Sequence, residues 1–217
     1  SKQIARVTGK NLAIVSAMTV GGMLFNGLLM YWNSLLIMPE FLSGVEQWMQ
    51  EMEAQLMELT VFLTDFQSIP ELLSGILVIG VFAGIGEELF FRGLIQPKMQ
   101  RYFQSPHLGI WITAFIFSAI HVQFYGFLPR MFLGALFGYL YHYTGSLFYP
   151  ILGHILNNTF TLLLVYASNE GLIELDVQST DTVSYPGAAI GILVLILGFL
   201  YFKKANRVKD EKLDQSV

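Results

Sequence analysis

The stretch that decides the fold is residues 71–93, which read ELLSGILVIGVFAGIGEELFFRG. Residues 72–86 carry no charge, and Glu87, Glu88 and then Arg92 follow them. A helix that crosses a bilayer needs about 20 mainly apolar residues. Ionisable side chains are costly inside such a helix and are a sign of function. The stretch therefore predicts a membrane-spanning helix that carries part of a functional site near one end.

Outside this stretch the chain is also strongly apolar. Of its 217 residues, 54% are hydrophobic and 13% are charged, whereas an average soluble domain carries about twice that charged fraction. Apolar runs predict about six spans, at about 11–34, 71–93, 108–126, 128–144, 147–167 and 187–202. We therefore expect an all-α fold, a polytopic transmembrane helical bundle. The first span is longer than the apolar part of a signal peptide, so we expect it to be retained.

Three pairs of glycines are spaced four residues apart within these spans. The pairs are Gly80 and Gly84, Gly134 and Gly138, and Gly187 and Gly191. Small residues at this spacing let helix backbones approach closely in a membrane. We expect all three pairs to serve helix packing. Cysteine is absent, which excludes disulfides and thiolate metal sites.

Residues 40–66 predict a helix of a different kind. Apolar residues such as Phe41, Val45, Leu59 and Leu63 recur there at helical spacing, with glutamates between them. This pattern is typical of an amphipathic helix, and we expect it to lie outside the hydrocarbon. It either caps the bundle and guides substrate, or it is a packed connector.

The charges are distributed unevenly along the chain. The basic regions are 2–10, 92–101 and 203–212, and the acidic regions are 40–71 and 170–181. With six spans the two sets fall on opposite sides of the membrane, and the positive-inside rule predicts that both termini are cytoplasmic. Because the chain is small and cysteine-free, we expect a bacterial inner or cell membrane. Arg130 does not fit this pattern, and we expect it either to snorkel at a helix end or to serve the site.

The polar residues inside the predicted spans are few. They include Glu87, Glu88, Arg92, His121, His154 and Asn158. Adjacent residues on a helix point about 100° apart, so the two carboxylates cannot share one role. Glu88 and Arg92 are spaced i,i+4, which favours an ion pair. That pair would leave Glu87 free for another partner.

This set of groups suits the hydrolysis of a peptide bond by water. Glu87 can take a proton from a water molecule that His121 holds and polarises. His154 and Asn158 lie one helical turn apart and can donate hydrogen bonds to the oxyanion at the scissile carbonyl. The sequence therefore predicts a catalytic set of Glu87, His121, His154 and Asn158 that needs no cofactor.

A zinc site is the alternative that the same residues allow. Zinc accepts three ligands such as Glu87, His121 and His154 together with a water molecule. If Glu87 were a ligand, Glu88 would be the one spare base, and its spacing assigns it to Arg92. We therefore favour the metal-free site.

Three short motifs resemble those of the CAAX protease and bacteriocin-processing family, also called the Abi family. They are Glu87-Glu88-x-x-x-Arg92, Phe117-x-x-x-His121 and His154-x-x-x-Asn158. The resemblance covers about residues 75–165, and the family includes the type II CAAX prenyl endopeptidases. It implies an intramembrane endopeptidase, of a family commonly labelled as metalloendopeptidases, whose core here is residues 71–167.

The resemblance also implies a role for each motif residue. Glu87 would be the base, His121 its partner at the water, and His154 with Asn158 the oxyanion-binding pair. Glu88 and Arg92 would support them. The remaining regions would be an N-terminal part with a transmembrane and an amphipathic helix, 1–70, and a loop, last span and basic tail, 168–217.

Two non-proteolytic functions remain as alternatives. The chain could be a bacteriocin-immunity or scaffold protein, or a proton-coupled transporter that uses Glu87 and the histidines as a relay. The expected partners are the lipid bilayer and a membrane-associated peptide or protein substrate, with no nucleic acid. Cleavage of a peptide bond separates the protease from both alternatives.

Overall fold

A computed structural model describes residues 7–173 and 183–214 of the chain. These residues form seven helices and no strand, so the predicted all-α fold is confirmed. The helices are α1 (Gly9–Ser34), α2 (Ser43–Thr64), α3 (Ile69–Tyr102), α4 (Pro106–Ala119), α5 (Phe127–Thr144), α6 (Phe148–Asn169) and α7 (Tyr185–Asp214). A short 3₁₀ turn, Glu40–Leu42, precedes α2.

Four of these helices are long and apolar enough to cross a membrane: α1, α3, α6 and the part of α7 over Tyr185–Ala205. The other two predicted spans form the shorter helices α4 and α5, of 14 and 18 residues. At 1.5 Å per residue they are about 21 and 27 Å long, against a hydrocarbon core of about 30 Å. The helical membrane bundle is confirmed, with α4 and α5 as a shorter pair within it.

The helix predicted at 108–126 ends early, at Ala119, because the chain turns there. Val122 has a positive φ of 55°, a backbone conformation that stops a right-handed helix. The Ser118 hydroxyl donates to the main-chain oxygen of Phe127 at 2.7 Å, which joins the end of α4 to the start of α5. His121 therefore lies in the connecting segment 120–126 rather than on a helix.

α3 is one helix of 34 residues, but its winding is not uniform. Two π-helical segments, Ile76–Phe82 and Leu89–Ile95, flank the α-helical turn Ala83–Glu88. π-helical segments are rare and often mark functional sites. Each one shifts the phase of the side chains that follow it. The turn that carries both glutamates is thus bounded on each side by such a shift.

The glycine pairs pack helices together, as predicted. A Cβ atom on Gly84 would lie 3.4 Å from the main-chain nitrogen of Ile155, so α3 and α6 touch at backbone distance. A Cβ atom on Gly191 would overlap the main-chain oxygen of Gly21, so the backbones of α1 and α7 are also in contact. The largest apolar cluster lies between α1, α5, α6 and α7.

α2 is the helix expected from residues 40–66, and it is the least buried helix near the site. Within α2, which is described in full, only Met49 is buried, and Phe62 is 78% exposed. It is joined to segment 120–126 by the rings of Trp48 and Phe124, whose centroids are 5.6 Å apart. α2 thus covers one side of the bundle with few buried contacts.

Candidate active site

A cavity of about 400 Å³ is lined by residues of helices α1 to α6. Four of the residues that line it are the predicted catalytic residues, Glu87, His121, His154 and Asn158. α3 supplies the carboxylate, segment 120–126 supplies one imidazole, and α6 supplies the other imidazole and the amide. The structure therefore brings together groups that are up to 71 positions apart in the sequence, Glu87 and Asn158.

The predicted ion pair of Glu88 and Arg92 is present, and it includes a third residue. Arg92 Nη1 lies 2.7 Å from Glu88 Oε1, and both side chains are fully buried. The same oxygen lies 2.8 Å from His154 Nδ1. Because a carboxylate oxygen can only accept a hydrogen bond, Nδ1 of His154 carries a proton. The sequence assigned Glu88 to Arg92 alone, since the spacing of two residues on one helix says nothing about α6.

His154 therefore turns its other nitrogen towards Glu87. The distance between His154 Nε2 and Glu87 Oε2 is 3.7 Å, which is too long for a direct hydrogen bond. A gap of this size is one that a water molecule or a reacting group can bridge. The side chain of Glu87 is 31% exposed, so Glu87 reaches into the cavity while Glu88 does not.

His121 is oriented by its own main chain. Its Nδ1 donates to the main-chain oxygen of Phe117 at 2.7 Å, and a carbonyl oxygen can only accept. Nε2 is therefore the nitrogen with the free lone pair. Burial lowers the pKa of the His121 imidazole, and the positive charge of Arg130 lowers it further. Both effects favour the neutral ring, which can accept a proton or a hydrogen bond.

Asn158 is held by the first π-helical segment of α3. Its Nδ2 donates to the main-chain oxygen of Ile79 at 3.0 Å. Its Oδ1 accepts a hydrogen bond from Asn157 Nδ2 at 3.3 Å. These two contacts fix the amide plane, and they leave the second N–H of Nδ2 for a ligand.

Aromatic rings form part of the wall around His154. The ring of Phe137 stacks on it, with centroids 5.1 Å apart and planes at 24°. Phe117 meets it edge-on at 6.0 Å and also packs against His121 at 5.1 Å. Phe137 was not predicted as a site residue, because a phenylalanine in an apolar helix gives no signal in the sequence.

Two buried hydrogen bonds join α3 to α5 beside the site. Arg92 Nη2 donates to the main-chain oxygen of Gly134 at 2.7 Å, and Gln96 Nε2 donates to that of Gly138 at 3.1 Å. A Cβ atom on Gly138 would lie 2.9 Å from Gln96 Oε1. The glycine pair on α5 therefore does more than let helices approach, because it exposes two carbonyl oxygens to α3.

The residues of the zinc alternative do not form a three-ligand group. Among residues 7–173 and 183–214, no three His, Cys, Asp or Glu side chains are placed so that they could hold a metal ion together.

Comparisons with known proteins agree with the resemblance drawn from the motifs. Residues 69–160 match the family described as type II CAAX prenyl endopeptidase Rce1-like. The chain is also 30% identical over 94 residues to a Bacillus subtilis (strain 168) protein, the uncharacterized protein YpbD. That alignment covers 42% of this chain and 43% of YpbD, so the chain spans less than half the length of this relative. No solved structure matches the chain. The predicted family resemblance is confirmed over residues 69–160.

Proposed function

We propose that this chain, whose residues 69–160 match the Rce1-like family of type II CAAX prenyl endopeptidases, is an intramembrane endopeptidase. It hydrolyses a peptide bond in a membrane-associated protein or peptide with a water molecule that Glu87 activates. The observation that carries the proposal is the shared cavity, in which the Glu87 carboxylate, two imidazoles and the Asn158 amide converge from separate parts of the chain.

The reaction begins with a water molecule between Glu87 and His121. Glu87 takes a proton from the water, and the free lone pair of His121 Nε2 accepts a hydrogen bond from it. The water oxygen then attacks the scissile carbonyl carbon. Glu87 passes its proton to the nitrogen of the leaving amine, the carbon–nitrogen bond breaks, and the products are an acid and an amine.

The oxyanion of the tetrahedral intermediate needs hydrogen-bond donors. The geometry determines which protonation form of His154 can donate to it. Because the Nδ1 proton of His154 is bonded to Glu88, a neutral ring would have no proton on Nε2. His154 must therefore be the imidazolium to donate from Nε2, and two carboxylates stand beside it, Glu88 at 2.8 Å and Glu87 at 3.7 Å. The second N–H of Asn158 is the other donor. A positive donor also opposes the negative charge that develops.

Glu88 and Arg92 support the reaction through His154. Glu88 holds the imidazolium, and Arg92 holds Glu88 while it bonds to α5. Neither residue touches the substrate in this proposal. The substrate reaches Glu87 from the membrane through the cavity, whose walls are mainly apolar.

The test is cleavage of membrane-anchored fluorogenic peptides by the purified chain in lipid nanodiscs. We expect Glu87→Gln to lower kcat by about 10²–10⁴-fold, since it removes the general base, and His154→Ala by about 10²–10³-fold, since it removes an oxyanion donor. Glu58→Gln, on the exposed side of α2, is the matched control and should cleave at the normal rate.

A strong chelator, added in parallel, tests the zinc alternative. The proposal expects an unchanged rate, whereas loss with chelator and recovery with zinc would move the mechanism to a metal. Cleavage that survives in both Glu87→Gln and His154→Ala would contradict the site. If the wild-type chain cleaves no peptide but moves protons across the membrane of sealed vesicles, the transporter alternative replaces the protease.

A further inference from the structure

Arg130 is a cation in the cavity that the proposed mechanism does not use. It lies in the first turn of α5 and lines the same cavity as Glu87, His121 and His154. Among the described residues that line this cavity, it is the one with a permanent positive charge. It is also the basic residue that the charge pattern of the sequence left unexplained.

The Arg130 guanidinium has no acidic partner in the described part of the chain. Its Nη1 donates to the main-chain oxygen of Gln123 at 3.3 Å, and its Nη2 donates to Gln123 Oε1 at 2.7 Å. Each ion pair within 4 Å that the described residues form involves other side chains. A guanidinium has five N–H donors, so these two bonds leave three.

Arg92, the other arginine near the site, shows the contrast. Arg92 is fully buried and paired with Glu88 at 2.7 Å, which is the usual state of a charge inside a membrane protein. Arg130 is partly buried, and the charges of Glu53 and Glu87 act on it only from farther away. A cation without an acidic partner in such a cavity is available to an anion that arrives with a ligand.

Gly126 packs closely against the guanidinium of Arg130. A Cβ atom on Gly126 would lie 3.0 Å from Arg130 Nη2, so a larger residue there would press on the guanidinium. Gly126 lines the cavity too, together with the apolar residues Met30, Leu133 and Phe137. A carboxylate that enters between such apolar walls would have Arg130 as its cationic partner.

We infer that Arg130 binds a carboxylate of the peptide substrate and thereby selects which bond reaches Glu87. This inference rests on the proposed function. The planar guanidinium fork suits a carboxylate, which it can bind through two parallel hydrogen bonds. Two sources share that chemistry, the free C-terminus of the substrate and an aspartate or glutamate side chain near the cleaved bond.

Arg130 also orders the connecting segment through Gln123, and the test has to separate that role from substrate binding. A purely structural arginine would change the cleavage of all substrates by the same factor. A carboxylate-binding arginine changes the ratio between a substrate that has the carboxylate and one that lacks it. The ratio is therefore the quantity to measure, since any general loss of activity cancels in it.

The experiment uses two pairs of membrane-anchored peptides of one sequence. One pair differs in a free C-terminal acid against a C-terminal amide, and the other in an internal Glu against Gln. In the wild-type chain we expect kcat/KM to favour the acid member of one pair by about 10- to 100-fold, mainly through KM. Arg130→Gln should bring that ratio to about one, and Arg130→Lys should leave part of it.

Gln123→Ala is the control for the structural role. It removes the side-chain partner of Arg130 but keeps the guanidinium, so it should change both members of a pair by the same factor. A wild-type ratio near one for both pairs, or a ratio that survives in Arg130→Gln, would overturn the inference and leave the protease proposal standing.

A peptide-binding measurement tests the inference if no peptide is cleaved. If the wild-type chain cleaves none of the peptides, the protease proposal fails, and binding of the same fluorescent peptides to the chain in nanodiscs is measured instead. Tighter binding of an acid peptide that is lost in Arg130→Gln would support Arg130 as the carboxylate site. Equal binding of the two members within each pair by the wild-type chain would overturn it.

Discussion

At the scale of single residues, the site depends on one buried oxygen atom, Glu88 Oε1. It accepts from Arg92 at 2.7 Å and from His154 at 2.8 Å, so it joins α3 to α6. Arg92 in turn donates to Gly134 on α5. The i,i+4 pair of Glu88 and Arg92 thus orients the imidazole of His154 on another helix. Glu88, which is next to the proposed base, therefore supports the site without reacting itself.

The buried ion pair gives a prediction about stability. Arg92→Gln should lower the free energy of unfolding by about 3–5 kcal/mol, because the buried Glu88 loses the guanidinium and keeps only His154 beside it. Thermal unfolding of the purified chain in detergent measures the change. Arg101→Gln, at the exposed end of α3, removes the same charge from the same helix and should leave the unfolding temperature unchanged. Equal losses in the two variants would show that burial of the pair is not the cause.

At the scale of helices, the pairing of α3 with α5 sets the geometry around the site. Gln96 lies one turn after Arg92 on α3 and makes the same kind of contact. Each of the two residues donates to the carbonyl oxygen of a glycine on α5. The two glycines are four residues apart, as are their partners on α3, so the helices meet in one fixed register. The second π-helical segment, Leu89–Ile95, lies within this contact.

A methyl group in that contact should separate the two helices. In Gly138→Ala the new Cβ would lie 2.9 Å from both Gln96 Oε1 and Ile110 Cγ2, and overpacking of this kind costs about 1–3 kcal/mol. We expect a lower unfolding temperature and a weaker Gln96 hydrogen bond. Gly27→Ala on α1, where no atom lies within 4 Å, should have the opposite sign, because alanine is the better helix former by about 0.5–1 kcal/mol. Two losses of similar size would argue against the helix contact as the cause.

At the scale of the whole molecule, the shorter helices α4 and α5 form a pair that packs closely together. A pair of helices that enters and leaves the membrane at the same face returns the chain to the side where it started. This holds whether or not each helix crosses the bilayer fully. The predicted orientation therefore depends on α1, α3, α6 and α7, the four helices long enough to cross. The two basic regions near Lys98 and Lys204 should lie on one side, and the acidic α2 on the other.

The cysteine-free chain allows a direct test of this orientation. We expect Lys98→Cys and Lys204→Cys to react with a membrane-impermeant maleimide only after the cytoplasmic face is opened. Glu51→Cys on α2 should react in intact cells, because the positive-inside rule places the acidic region outside. The wild-type chain provides a background without thiols. Labelling of Glu51→Cys from the cytoplasmic side would reverse the predicted topology.

The sequence by itself determined the features that depend only on residues close together in the chain. An apolar run of sufficient length predicts a membrane helix whatever surrounds it, and the i,i+4 spacing brings Glu88 to Arg92 on any helix. The three motifs also identified the four residues that meet in the cavity, because each motif can be recognised from its own short stretch of sequence. Periodicity predicted α2 in the same way.

Only the tertiary structure decided how those parts meet. The bond of His154 to Glu88, the stacking of Phe137 and the bond of Gln96 to Gly138 join residues 66, 17 and 42 positions apart. No local spacing encodes them, because they depend on which faces of separate helices pack together. The position of Arg130 in the cavity has the same origin. Its charge is visible in the sequence, but the fact that it faces Gln123 instead of a carboxylate follows from how the start of α5 packs against segment 120–126.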